Sequence, residues 1–106
     1  MPLSVGELIE KAKDQRGRKR YEEALVSALA AVELDNQNSE AWWQVALSRS
    51  VLGDRKNTIV ALRKTVELNR GASNAWARLG DLLLQECETE EAKDALEWAF
   101  AYDPEQ

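Results

Sequence analysis

The chain of 106 residues contains no histidine, and that absence removes the commonest general acid, general base and metal ligand. Cysteine occurs once, at Cys87, so there is no intrachain disulfide, no two-cysteine metal site and no Cys–His nucleophile pair. Its neighbours Glu86 and Glu88 disfavour a thiolate. The five glycines are scattered and form no phosphate-cradling loop. Proline stands only at Pro2 and Pro104, leaving the interior free of its helix-breaking effect. No apolar run approaches the roughly 18 residues that a bilayer-spanning helix needs. The opening MPLSVGEL lacks a basic segment followed by an apolar one, the mark of a secretory signal. These absences argue against catalysis, a cofactor, a metal, a small-molecule substrate and membrane insertion. A lone thiol suits a reducing compartment, so the expectation is a soluble cytoplasmic protein that is not an enzyme.

The net charge is −5, but its sign is uneven. Residues 1–20 carry six basic and three acidic groups, a balance of +3, and residues 21–106 carry −8. An acidic body argues against general binding to nucleic acid. The basic stretch Lys11–Arg20 has no aromatic residue before Tyr21 and is read as a solvated end rather than a phosphate contact.

What is present is a period. Trp42 and Trp76 stand 34 residues apart, as do Ala41 and Ala75, Ser39 and Ser73, Ala61 and Ala95, and Leu62 and Leu96. The same offset joins Val32 to Val66, Glu33 to Glu67 and Leu34 to Leu68. A fixed period of this length means one supersecondary unit copied and stacked. Three periods span residues 5–106 as one domain (units 5–38, 39–72 and 73–106), with residues 1–4 as a lead-in.

Helix formers dominate, and two helices fit each unit. Ser4 with Glu7 reads as a capping box for the first helix, which ends near Gly17. The second spans Tyr21 to Leu34, with Ala24, Ala28 and Ala31 on a stripe that admits a close neighbour. Asn38 or Ser39 caps the third, and Gly53-Asp54 closes it near Leu52. The fourth covers roughly Arg55 to Asn69, the fifth ends near Gln85, and Thr89 is expected to cap the sixth. Short connections predict antiparallel pairs.

The third unit carries Trp76, Leu79, Gly80, Leu83, Ala92, Leu96, Ala99 and Pro104, and the second carries Trp42, Val45, Ala46, Gly53 and Leu62. Leu8, Ala12, Ala24, Ala28 and Ala31 fit the same frame in the first. This pattern resembles the tetratricopeptide repeat. The resemblance implies an all-α fold: a right-handed superhelical solenoid of three antiparallel helix pairs. There are departures. Thr58 and Thr65 stand where Ala is usual, and Arg49 and Arg70 occupy an aromatic and a Pro slot. Lys11 and Gln15 replace core residues, so the first helix is expected either to cap the stack with polar side chains or to fray.

The resemblance also implies a protein–protein interaction module whose first helices line a concave groove for a partner peptide. Residues 39–52 support this separately. Trp42, Val45 and Ala46 form one apolar stripe, and Trp43, Leu47 and Val51 form another about 100° around, so two surfaces need cover. Family register places Ile9, Lys13, Trp43, Gln44, Leu47, Ser50, Ala77, Arg78, Asp81 and Leu84 in the groove. Trp43 and Leu47 would anchor one or two large apolar side chains of an extended or helical ligand, while Gln44 and Arg78 would orient it. The competing reading packs Trp43 against the neighbouring helix of the first unit. Trp42 and Trp76 are expected in the core. The carboxylate clamp of some family members would fall on Ile9, Lys13, Gln44, Asn74 and Arg78, of which only Arg78 matches in type, so chaperone-tail binding is not expected. Leu96, Trp98, Phe100 and Tyr102 form an apolar edge on the last helix, predicting either a homodimer or further C-terminal repeats. The alternative function is therefore a structural oligomerisation or spacer segment of a larger repeat protein.

Overall fold

A computed structural model describes residues 2–103. Met1 and Pro104, the latter part of the third unit's pattern, lie outside the described residues. Six helices follow in order: α1 (Val5–Gly17), α2 (Tyr21–Leu34), α3 (Ser39–Val51), α4 (Arg55–Leu68), α5 (Ser73–Gln85) and α6 (Thr89–Tyr102). They form three antiparallel pairs stacked into a right-handed solenoid, 45 Å long and 24 × 23 Å across.

The 34-residue echo reappears in the backbone. Lys19, Gly53 and Cys87, one period apart, take left-handed φ angles of 64°, 82° and 64°. Each follows the first helix of its pair. The next amide then bonds back to a carbonyl five residues earlier: Arg20 to Gln15 at 2.8 Å, Asp54 to Arg49 at 3.0 Å, Glu88 to Leu83 at 2.9 Å. This is the Schellman closure, and it reverses the chain identically three times. A second recurring bond joins one unit to the next. The Trp42 indole Nε1 donates to the Asn36 carbonyl at 2.9 Å, and Trp76 Nε1 donates to the Arg70 carbonyl at 2.8 Å, each six residues back.

Ser4 and Glu7 form the expected capping box, and Asn38 and Asp54 cap α3 and α4. Bonds from the Asn57 side chain and backbone hold the Asp54 carboxyl below its usual 3.8. Thr89, however, is the first residue of α6 and not its cap; Glu88 holds that position without a side-chain bond. The period explains the correction, since the cap must lie 34 residues after Asp54, next to the left-handed turn at Cys87.

Small residues let the helices approach. Ala24, Ala28 and Ala31 are fully buried. A Cβ on Gly80 would lie 2.6 Å from Leu96 Cγ, so α5 meets α6 at a distance that only glycine permits. One period earlier the same pair is Ala46 and Leu62, both buried. Thr58 and Thr65 are satisfied in the core by donating to the Asp54 and Ala61 carbonyls. In the first unit α1 is a formed helix, Lys11 is exposed and Gln15 accepts from Ser27 Oγ at 2.6 Å.

Trp76 is buried, but Trp42 is only half-buried, contrary to the core position expected for both. The Trp98 ring stacks on Trp76 at 6.1 Å; one period earlier that cover is replaced by exposed Lys64.

The left-handed turns make a sharp prediction. A non-glycine residue there is strained, so Cys87→Gly is expected to raise unfolding free energy by about 0.5–1 kcal/mol, and Gly53→Ala to lower it by about 1 kcal/mol. Urea unfolding followed by circular dichroism checks both signs.

Candidate binding groove

The groove is set by how the first helices of successive units are spaced. α1 packs directly on α3, whereas α5 packs on α4 and α6 and scarcely meets α3. The α3–α5 gap holds two hollows. One, of about 180 Å³, is walled by Ala46, Leu47 and Ser50 of α3 and by Arg78, Asp81, Leu82 and Gln85 of α5, with Thr58 and Leu62 of α4 as its floor. The other, of about 270 Å³, lies at the start of both helices, between Ser39, Glu40 and Trp43 on one side and Ser73, Asn74 and Ala75 on the other. The Arg78 guanidinium bridges the two, lying 5.7 Å from the centroid of the Trp43 ring. Such a cation–π contact contributes on the order of 0.5–1 kcal/mol at an exposed site.

Between α1 and α3 the space is filled by a polar chain. Lys13 Nζ lies 3.1 Å from Glu40 Oε1 and 3.5 Å from Glu10. Gln44 Nε2 donates to Glu40 at 3.1 Å, and Arg16 donates to Gln44 Oε1 at 3.1 Å. The hydrogen bond to Glu40 raises the Lys13 amine above its ordinary 10.5, Coulomb attraction adds to it and partial desolvation opposes it. A raised amine gives stability that is fully present below 10.5 and is lost only as pH rises through the higher folded value.

Of the residues expected in the groove, the structure brings together Leu47, Ser50, Arg78 and Asp81 around the first hollow, with Trp43 at the second. Trp43 is half-buried and packs on the core while Arg78 covers its ring, so it is neither sealed nor bare. Ala77 is half-buried against the core. Three expectations are corrected. Ile9 is 5% exposed and packs with Ala31 and Ala41. Gln44 is 1% exposed and committed to Arg16 and Glu40. Both are unavailable because α1 closes directly on α3. Leu84 faces away from the groove, beside Thr89, Lys93, Leu96, Glu97 and Phe100. Lys13 is exposed but paired.

The expected apolar edge also divides. Trp98 stacks on Trp76 and so folds back onto α5, and Tyr102 stacks on Trp98 at 5.9 Å. Leu96 and Phe100 remain at the open end with Leu84. Leu82 and Gln85 were not expected at the groove, although Arg78, Leu82 and Gln85 follow the i, i+4, i+7 spacing of one helix face.

No family model matches the chain. It is 32% identical over 78 residues to Tetratricopeptide repeat protein 37 of Xenopus laevis, a stretch covering 74% of this chain and 5% of that protein. The first TPR of Spaghetti (RPAP3), solved bound to an HSP90 peptide, superposes with a TM-score of 0.90 at 22% identity, over 97% of this chain and 82% of that one. The chain is a tetratricopeptide repeat array. The Yersinia enterocolitica chaperone SycD, solved with a peptide of the translocator YopD, superposes on the array with a TM-score of 0.86 at 20% identity, over 96% and 78% of the two chains. The array spans about a twentieth of the curated relative it matches. Its own clamp positions are not assembled: Ile9 is buried, Gln44 is engaged within the fold and Lys13 is paired with Glu40.

In the polar chain, burial separates strong from weak members. Gln44→Ala leaves two charged groups without their buried partner and is expected to cost about 1–3 kcal/mol. Lys13→Ala, at the exposed end, is expected to cost less than about 1 kcal/mol. Paired denaturation curves decide it; equal losses would contradict the assignment.

Proposed function

We propose that the array is an adaptor or scaffold module that holds a partner peptide or helix in the α3–α5 groove. One observation carries the reading: the first helices of the second and third units are held apart, leaving an apolar wall at Leu47 and Leu82 beside the Arg78–Trp43 pair. At about 180 Å³ the hollow falls below the roughly 300–1,000 Å³ of a small-molecule site and suits single side chains of a polypeptide. Two arrays of the same fold were solved with peptides bound, which supports the class of ligand. The ligand is an extended or helical segment that offers one large apolar side chain to Leu47 and Leu82, and a polar or acidic group to Arg78. No helix of the described residues is long and apolar enough to cross a membrane, and the exposed free thiol of Cys87 suits the reducing cytoplasm.

A second reading, a structural or oligomerising segment, is favoured by the apolar end at Leu84, Leu96 and Phe100.

The groove is tested by capture of native partners with the wild-type chain, Trp43→Ala with Leu47→Ala, and Leu47→Arg. Recovery of specifically bound proteins is expected to fall at least about tenfold with both variants while helical circular dichroism is unchanged. Undiminished recovery by a folded Leu47→Arg variant would contradict the reading.

A further inference from the structure

The open end of the stack is built like an interior surface. Leu96 and Phe100 stand one period after Leu62 and Val66, which are buried where α5 packs on α4. At the end of the array nothing in the chain's described residues performs that service. Phe100 is 63% exposed, Leu84 is 48% exposed, and with Leu96 they wall a shallow hollow of about 450 Å³. A cluster of large apolar side chains on this scale marks an interaction surface.

The charges on the patch say what covers it. Lys93 and Glu97 line the same hollow, four residues apart on α6, and among the described residues neither has an ion pair. A positive and a negative group beside one apolar patch on one helix form a self-complementary set: an antiparallel two-fold places Lys93 of each copy opposite Glu97 of the other. Stacking the head of one copy on the tail of another does not satisfy the patch. The α1 positions one period before Ala41, Val45 and Ser48 are Glu7, Lys11 and Asp14, all exposed and charged. Three charged side chains set against Phe100 and Leu96 would be desolvated, and Lys93 and Glu97 could pair with only two of them.

We infer that the array pairs with a second copy of itself through α6, about a two-fold axis level with residue 95, with Leu96 and the reciprocal Lys93–Glu97 pairs close to the axis and Leu84 and Phe100 buried on either side of it. This face is distinct from the α3–α5 groove, so the two are tested separately.

Sedimentation equilibrium of the purified chain, over roughly 1 μM to 1 mM, reads the association directly. A monomer–dimer equilibrium is expected. Phe100→Asp, at an exposed position, is expected to leave helical circular dichroism intact and to abolish the dimer. Lys93→Glu and Glu97→Lys alone are each expected to weaken pairing at least about tenfold, because each substitution acts twice in a symmetric dimer. The double variant Lys93→Glu with Glu97→Lys is expected to restore it. A monomer at every concentration would overturn the inference, and would leave the patch to a helix outside the described residues. So would a dimer indifferent to Phe100→Asp, an open-ended series of oligomers, or a double variant that fails to recover.

Discussion

Two hydrogen-bonded closures, repeated at a fixed interval, determine the rest of the molecule. In each unit a left-handed residue ends the first helix and sends the chain back along it. Between units, an indole reaches six residues back and ties the new helix to the loop that precedes it. The first closure sets the angle within a pair; the second sets the offset between pairs. An indole N–H is donor only, and its carbonyl partner lies in a loop where the backbone must find partners outside a helix. The Trp thus serves as packing surface and as a latch, which is why the most visible residue of the period is also the one that fixes the geometry.

Alanine and glycine then decide how closely the pairs pack. Fully buried alanines along α2, and a glycine at 80 that receives the Leu96 side chain, let neighbouring helices pack closely. Differences between units follow from single substitutions inside this common frame. In the first junction, Lys13, Glu40, Gln44 and Arg16 fill the space between α1 and α3 with a hydrogen-bonded chain. In the second, the Arg78–Trp43 contact spans α3 and α5, and hollows remain on either side of it. The groove is therefore confined to one junction, where an apolar wall and a guanidinium lie within reach of one ligand.

Much of this was legible in the sequence. The period, the capping box at Ser4, the alanine stripe of α2 and the ends of all six helices depend on local spacing and backbone chemistry, and the helix ends agree to within one residue. The site was less legible, because family register assumes that every junction is spaced alike. Ile9 and Gln44 occupy groove positions in register, yet α1 lies against α3 and buries them. Whether polar residues at 13, 40 and 44 bond to one another or await a ligand depends on that spacing, which no local pattern records. Trp98 and Tyr102 were grouped with Phe100 because all three are aromatic and close in sequence. Spacing along α6 separates them: 98 and 102 are four apart, Trp98 stacking on Trp76 and Tyr102 on Trp98, while 96 and 100 share the opposite, open face.

The most direct test of the repeated latch is hydrogen exchange at the four indole N–H groups, followed by nuclear magnetic resonance. The account predicts that Trp42 and Trp76, bonded to the carbonyls of Asn36 and Arg70, exchange more slowly than Trp43 and Trp98, which have no such bond among the described residues. Slow exchange should persist at Trp42 even though its ring is half-exposed. Exchange that tracks ring burial alone, with Trp42 as fast as Trp43 and Trp98, would contradict it.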